Sequence, residues 1–209
     1  MNVLLIGASR GIGLEFARQY LDAGDRVIAT ARDADGLKRL SDLGAETLKL
    51  DGEKLDVAIY VAGVFGTEGA TSPPTQQAFD AMLHTNVLGA MQALPQVAPW
   101  VEEADGQFAF ITSDMGRIGG VHSSRGWLYQ VSKAALNMAV VAAQPDYPRA
   151  RFVLFHPGWV ATDMGTAAAP VSPYDSVAGM RRTLQELKNK PRPPQVPFLQ
   201  WDGQPFSSW

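Results

Sequence analysis

Four apolar residues, Val3-Leu4-Leu5-Ile6, run directly into Gly7-Ala8-Ser9-Arg10-Gly11-Ile12-Gly13, and this junction limits the possible folds more than any other stretch of the chain. A short continuous apolar run predicts a strand buried on both faces. After the glycines, Ile12, Phe16 and Tyr20, with Ala17 and Leu21, share one face of a helix that Gly24 closes. A strand, a glycine turn and a helix N-terminus together make an anion cradle. Small residues let a phosphate approach the backbone, and the first N–H groups of the helix, with its dipole, favour negative charge. Tight strand-to-helix packing is the plainer explanation of the same glycines. Their position after the first strand, however, is where dinucleotide-binding sheets place the cradle.

The rest of the chain alternates strand and helix. Strands are predicted at 27–30, 46–50, 57–61, 107–112 and 152–156, with a last short one at Phe198-Leu199. Helices are predicted at 37–43, from 71–74 onward through Asn86, and from Trp127 to about Ala143 with Val131, Ala134, Ala135, Met138, Val141 and Ala142 as its apolar side. A further helix starts after Ser172, which is followed by Pro173 and Asp175. Pro95 and Pro99 are expected to kink or end the second of these helices. The pattern is an α/β fold, a doubly wound parallel sheet (Rossmann fold) in three α/β/α layers. With 209 residues the chain is one domain, 1–209, with a substrate lid at 163–190, its small-residue part at 165–171, and a C-terminal tail at 191–209.

Hydrophobic residues make up 46% and charged ones 19%, which excludes a disordered chain. A net charge of -3 with interspersed signs offers no stripe for nucleic acid or an anionic membrane. The absence of cysteine removes disulfides and thiolate metal sites and fits the cytoplasm, and three scattered histidines predict no metal cluster. No run approaches a membrane span, and the first strand is too short for a secretory signal.

One connection is too short. In a sheet of order 3-2-1-4, the chain between the third and fourth strands must move about 14 Å sideways and about 13–17 Å back across a face. Five peptide units from Asp51 to Asp56 reach at most about 17–18 Å. Either a segment is missing between Asp51 and Leu55, or the third strand is misplaced.

Two stretches carry chemistry. After the second strand, an NAD site usually offers a carboxylate to the ribose and an NADP site offers a cation to the 2′-phosphate. Here Thr30-Ala31-Arg32 precedes Asp33, and Arg10 lies in the glycine turn, so NADP(H) is favoured and Asp33 leaves NAD(H) as the alternative. Tyr129 and Lys133 lie one helical turn apart, where an ammonium can stabilise a phenolate. An amphipathic helix with two polar tips would show the same spacing.

The chain resembles the short-chain dehydrogenases/reductases. The likeness rests on Gly7-x-x-x-Gly11-x-Gly13, Ala62-Gly63, Asn86 in His-Thr-Asn-Val-Leu-Gly, Ser113, Tyr129-x-x-x-Lys133 and Pro157-Gly158-Trp159-Val160-Ala161-Thr162-Asp163-Met164. Within that family it is most similar to the carbonyl-reductase-like branch of sniffer and the bacterial C-factor. The resemblance implies that Tyr129 is the general acid or base and that Lys133 lowers its pKa and holds the nicotinamide ribose. It implies that Ser113 orients the substrate oxygen and that Asn86 anchors a relay water. Gly7, Ser9, Arg10, Gly11, Ile12 and Gly13 would hold the phosphates, Arg32 the 2′-phosphate, Asp51 the adenine, Ala62 and Gly63 the ribose region, and Pro157, Gly158, Val160 and Thr162 the nicotinamide end. Tyr60-Val61 stands where the family usually has two asparagines, so its brace of the central sheet is absent. Trp127, Trp159 and Met164 flank the site as candidate pocket walls. The expected activity is NADP(H)-dependent reduction of a small or medium carbonyl compound, or oxidation of the alcohol, by a homo-oligomer (dimer or tetramer) joined through the helices of Asn86 and Tyr129. A dinucleotide-binding signalling protein with little turnover is the other reading.

Overall fold

The computed structural model describes residues 1–47 and 54–209. Seven strands form one parallel sheet in the order β3-β2-β1-β4-β5-β6-β7. They are β1 (Asn2–Ile6), β2 (Arg26–Thr30), β3 (Glu46–Thr47), β4 (Val57–Tyr60), β5 (Gln107–Ile111), β6 (Arg151–His156) and β7 (Phe198–Gln200). The strand order reverses between β1 and β4, which pair parallel in register from Val3↔Val57 to Ile6↔Tyr60. Ligands of such sheets bind at this switch point, beyond the carboxyl ends of the strands. The expected third strand over 46–50 is described only at Glu46–Thr47. Asp51 and the question of a missing segment before Leu55 lie outside the described residues.

The doubly wound arrangement follows from strand alternation. Val3 and Leu5 point to one face and Leu4 to the other. The first face is covered by α1 (Gly11–Asp22), α2 (Ala34–Asp42) and α6 (Pro173–Lys188), through Phe16, Leu40, Val177, Met180 and Leu184. The second is covered by α4 (Gly89–Glu103) and α5 (Trp127–Ala143), through Leu94, Val97, Ala98, Leu136 and Val140. Each fully buried side chain of this size contributes about 1.5–3 kcal/mol. α6, which fills most of the stretch expected as a lid over 163–190, is therefore part of the core layer, with Ser172 as its N-cap accepting from the Asp175 N–H.

Three further expectations need correction. α2 begins at Ala34, three residues early, because Asp33 caps it by accepting from the Gly36 N–H at 2.7 Å. α3 (Gln76–Leu83) begins after the predicted 71–74, with Thr75 as N-cap. Ser72 and Pro73 each precede a proline, which disfavours helical backbone there. Finally, Pro95 and Pro99 do not end α4, which continues to Glu103. Both prolines lie on its exposed side, where water can take the freed carbonyls, while Ala90, Leu94, Val97, Ala98 and Val101 bury the other side.

The predicted apolar side of α5 is the wrong one. Its buried residues are Tyr129, Ser132, Lys133, Leu136, Asn137 and Val140, whereas Val131 is 45% and Met138 68% exposed. Partners for most of these polar groups allow the helix to turn them inward. The Thr112 hydroxyl donates to Asn137 Oδ1 at 2.6 Å, and the Asn86 amide donates to Ser132 Oγ at 2.9 Å.

Candidate active site

The glycine turn sits at the carboxyl end of β1. Gly7 has φ +87°, and a Cβ there would stand 2.7 Å from Ala62 Cβ. Gly13 faces Gly7 O and Ala8 Cα so closely that its Cβ would be within 2.8 Å of both. Arg10 is the N-cap of α1 in extended conformation, and its side chain makes no capping bond. The first N–H groups of α1 are thus left for an external acceptor. Thr162 closes over the turn, its Cγ2 only 3.5 Å from where a Gly11 Cβ would lie. This arrangement fits the phosphates of a dinucleotide.

The turn continues toward β2. A Cβ on Gly36 would meet Ser9 Cβ at 2.7 Å and Ala31 Cβ at 2.9 Å, so the segments carrying Ser9-Arg10 and Ala31-Arg32 converge there. Arg10 and Arg32 are surface side chains. Asp33, the carboxylate that kept NAD open, is engaged at the α2 N-terminus. Arg39 was missed from sequence. Its Nη1 donates to Ser9 O at 2.6 Å, and it lies one turn after Gly36 on the face that meets the glycine turn. Recognising Asp33 as the cap would have placed it.

Beyond the carboxyl ends of β4 and β5, four predicted residues come together. A Gly63 Cβ would lie 3.5 Å from both Asn86 Oδ1 and Lys133 Nζ. Lys133 Nζ is 5.6 Å from the Tyr129 ring centre and donates to Ile111 O at 3.0 Å. Ser113, at the end of β5, accepts from the Met115 N–H at 3.1 Å. Burial pushes the Tyr129 phenol up to about 12, a hydrogen bond with Ser113 pulls it down, and the Asp114 charge pushes it up. Lys133 is 3% exposed and burial brings its ammonium down to about 8. In this geometry the downward pull on Tyr129 comes from Ser113, so the expected lowering by Lys133 is not what dominates.

Asn86 is completely buried in a π-helical turn, His84–Leu88, between α3 and α4. Its Oδ1 accepts from the Val64 N–H at 2.8 Å and its amide donates to Val64 O at 3.0 Å. Its side chain is therefore spent on the chain itself, which leaves only backbone groups of this turn for any water. Tyr60, in place of the expected asparagine, ties β4 to this turn: its hydroxyl donates to Thr85 O at 3.1 Å. Only glycine at 89 allows this, since a Cβ there would be 2.5 Å from the hydroxyl.

Pro157-Gly158 turns the chain out of β6. Gly158 has φ +85° and packs on Trp201, and the Ser176 hydroxyl anchors Pro157 O at 2.7 Å. Val160 is buried and bridges to Val171. Trp127, Trp159 and Met164 are all exposed in part. Phe65, in a loop without periodicity to betray it, sets its ring edge-on to Tyr129 at 4.8 Å. No cluster of metal-binding side chains exists among the described residues.

The model of the short chain dehydrogenase family matches residues 44–171. The chain belongs to that family. As a short-chain dehydrogenase it is an oxidoreductase. It is similar to the C-signal protein of Myxococcus xanthus, 36% identical over 136 residues that cover 64% of this chain and 82% of the relative. It is 28% identical over 228 residues to 1-hydroxy-2-glutathionyl-2-methyl-3-butene dehydrogenase of Rhodococcus sp. (strain AD45), covering 96% of this chain and 99% of that one. Among solved structures, a carbonyl reductase from Pseudomonas aeruginosa PAO1 in complex with NADP superposes with a TM-score of 0.86 at 28% identity, over 100% of this chain and 99% of the other. Among the described residues, no helix of this short-chain dehydrogenase is long and apolar enough to cross a membrane.

Proposed function

We propose that the chain is an NADP(H)-dependent reductase of small or medium carbonyl compounds, working also on the corresponding alcohols. The observation that carries this reading is the meeting of Ser113, Tyr129 and Lys133 after β5 of the same parallel sheet whose β1 ends in an uncapped glycine turn, with Arg10 in the turn and Arg32 after β2. When bound, NADP(H) supplies or accepts the hydride. Tyr129 gives its proton to the carbonyl oxygen, Ser113 orients that oxygen, and the Lys133 ammonium balances the charge left on the phenol. The glycine turn, Ala62, Gly63, Pro157, Gly158, Val160 and Thr162 line the cofactor cleft, and Phe65, Trp127, Trp159 and Met164 form an apolar mouth, with 163–171 as a lid. Likeness to an NADP-bound carbonyl reductase supports the cofactor and the substrate class. The test is a panel of ketones, aldehydes and quinones with NADPH and NADH; absence of turnover across the panel would sink the enzyme reading. The likeness to C-signal favours a second reading, a dinucleotide-binding signalling protein with little turnover, which that result would leave standing.

Cofactor choice has its own test. Loss of a charge-assisted bond costs about 1.5–3 kcal/mol. Arg32→Ala is therefore expected to weaken NADPH binding about 10- to 100-fold in fluorescence titration and to leave NADH unchanged. Equal loss for both cofactors would remove Arg32 from the 2′-phosphate.

Exposed apolar side chains at Leu88 and at Met91 on α4, and at Val131 and Met138 on α5, support self-association through these helices. Met138→Glu places a charge at a site 68% exposed, so it is expected to yield a folded monomer by light scattering where the parent is a dimer or tetramer. An unchanged mass would place the interface elsewhere.

A further inference from the structure

Beside Ser113 lies a carboxylate that the reaction above does not use. The Ser113 hydroxyl donates to Asp114 Oδ1 at 3.1 Å. The Asp114 N–H donates to His156 Nδ1 at 3.2 Å, and the same imidazole nitrogen is 3.5 Å from Asp114 Oδ1. His156 ends β6 and is mostly buried against Phe206, with ring centres 6.0 Å apart. Burial lowers its pKa, Asp114 raises it and Arg117 lowers it. An Nδ1 that accepts from a backbone N–H is the unprotonated nitrogen, so the imidazole here is neutral and fixes the start of the loop rather than cancelling the Asp114 charge. The nearest cation along the loop, Arg117, is committed elsewhere: its guanidinium lies 4.5 Å from the Phe206 ring centre and bonds Ser208 O and Oγ. Among the described residues, Asp114 has no lysine or arginine within ion-pair distance.

We propose that Asp114, oriented through His156, is a positioning residue of the catalytic end: it holds the Ser113 hydroxyl hydrogen and places a fixed negative charge beside the oxygen that reacts there. This rests on the proposed function of Ser113 and Tyr129. Ser113 has one hydrogen, and while Asp114 accepts it that hydrogen is withheld from the Tyr129 oxygen, whose pKa a hydrogen bond from Ser113 lowers. A substrate oxygen must compete for that hydrogen. The carboxylate also opposes charge on the Tyr129 phenol, which is faced from its own helix by Lys133 and from the β5 loop by Ser113 and Asp114. Asp114 thereby keeps Tyr129 in its protonated, acidic form over a wider pH range, and a substrate with a carboxylate next to its carbonyl is disfavoured by like charge.

The readout is the ionisation of Tyr129 itself, followed by the Cζ resonance of labelled tyrosine in the full chain, alone and with NADP+. The resonance is assigned by its loss in Tyr129→Phe. Asp114→Asn keeps the shape and removes the charge, and is expected to lower the Tyr129 midpoint by about half a unit or more with an unchanged melting temperature. A midpoint that does not move overturns the role of Asp114. The two readings fail separately. Turnover lost in Tyr129→Phe with an unmoved midpoint in Asp114→Asn rejects the positioning role alone, whereas a moved midpoint with full turnover in Tyr129→Phe rejects the catalytic reading on which it rests.

Discussion

Tyr129→Phe is expected to lower the rate of NADPH-dependent carbonyl reduction by about 100- to 10,000-fold, the usual contribution of a positioned general acid. Cofactor affinity should hardly change, because the ring stays in place against Phe65 and only the hydroxyl is lost. The same assignment has a pH dependence. Lys133 carries its charge below a pKa of about 8 and loses it above, since burial disfavours the ammonium. The phenolate left after proton transfer is then no longer balanced, and reduction should fall as pH rises through about 8. Steady-state rates and NADPH titrations of the parent and variant across that range check both statements. Retained turnover in Tyr129→Phe would mean that the proton comes from elsewhere.

Asn86→Leu is the second large effect, and it acts through the fold. Asn86 holds the loop after β4 to the π-helical turn by bonds to both the N–H and the C=O of Val64, and it also bonds Ser132 on α5. Leucine leaves these partners unpaired in a partly buried place, at about 2–3 kcal/mol in total. For a chain of this length that corresponds to a fall in melting temperature of about 5–10 °C. The gain in helix propensity over asparagine is a few tenths of a kcal/mol and does not offset it. Activity should fall more than stability, because Val64 follows Gly63, which lies against Lys133. Calorimetry and hydrogen exchange at the Val64 amide measure the effect; an unchanged amide protection would show that the clasp is made by other groups.

Tyr60 shows why part of this site was hidden. Tyrosine in a buried strand predicts packing, and its ring does stack near Phe110. That its hydroxyl reaches Thr85 across 25 residues of chain depends on Gly89 being placed under it by the π-helical turn. Asp114 and His156 are hidden in the same way, since they are 42 residues apart and meet only because β5 and β6 are neighbours. Arg39 differs. A local signal, Asp33 followed three residues later by Gly36, was present, and reading it as a helix cap would have set the start of α2.

The sequence by itself determined the elements with a short-range cause. Backbone freedom at Gly7, burial of β1 on both faces and the helical spacing of Tyr129 and Lys133 are local properties, and they were enough to imply the sheet and the polar end of the cleft. Only the tertiary structure decided which side of α5 is covered. Periodicity finds an apolar stripe, but burial depends on what faces the helix. Here Asn86 packs against one side of α5, so Ser132 and Lys133 turn inward and Val131 and Met138 are left to the surface. A hydrogen bond in a buried place outweighs the exposure of two apolar side chains, and the partner that makes it belongs to another part of the chain.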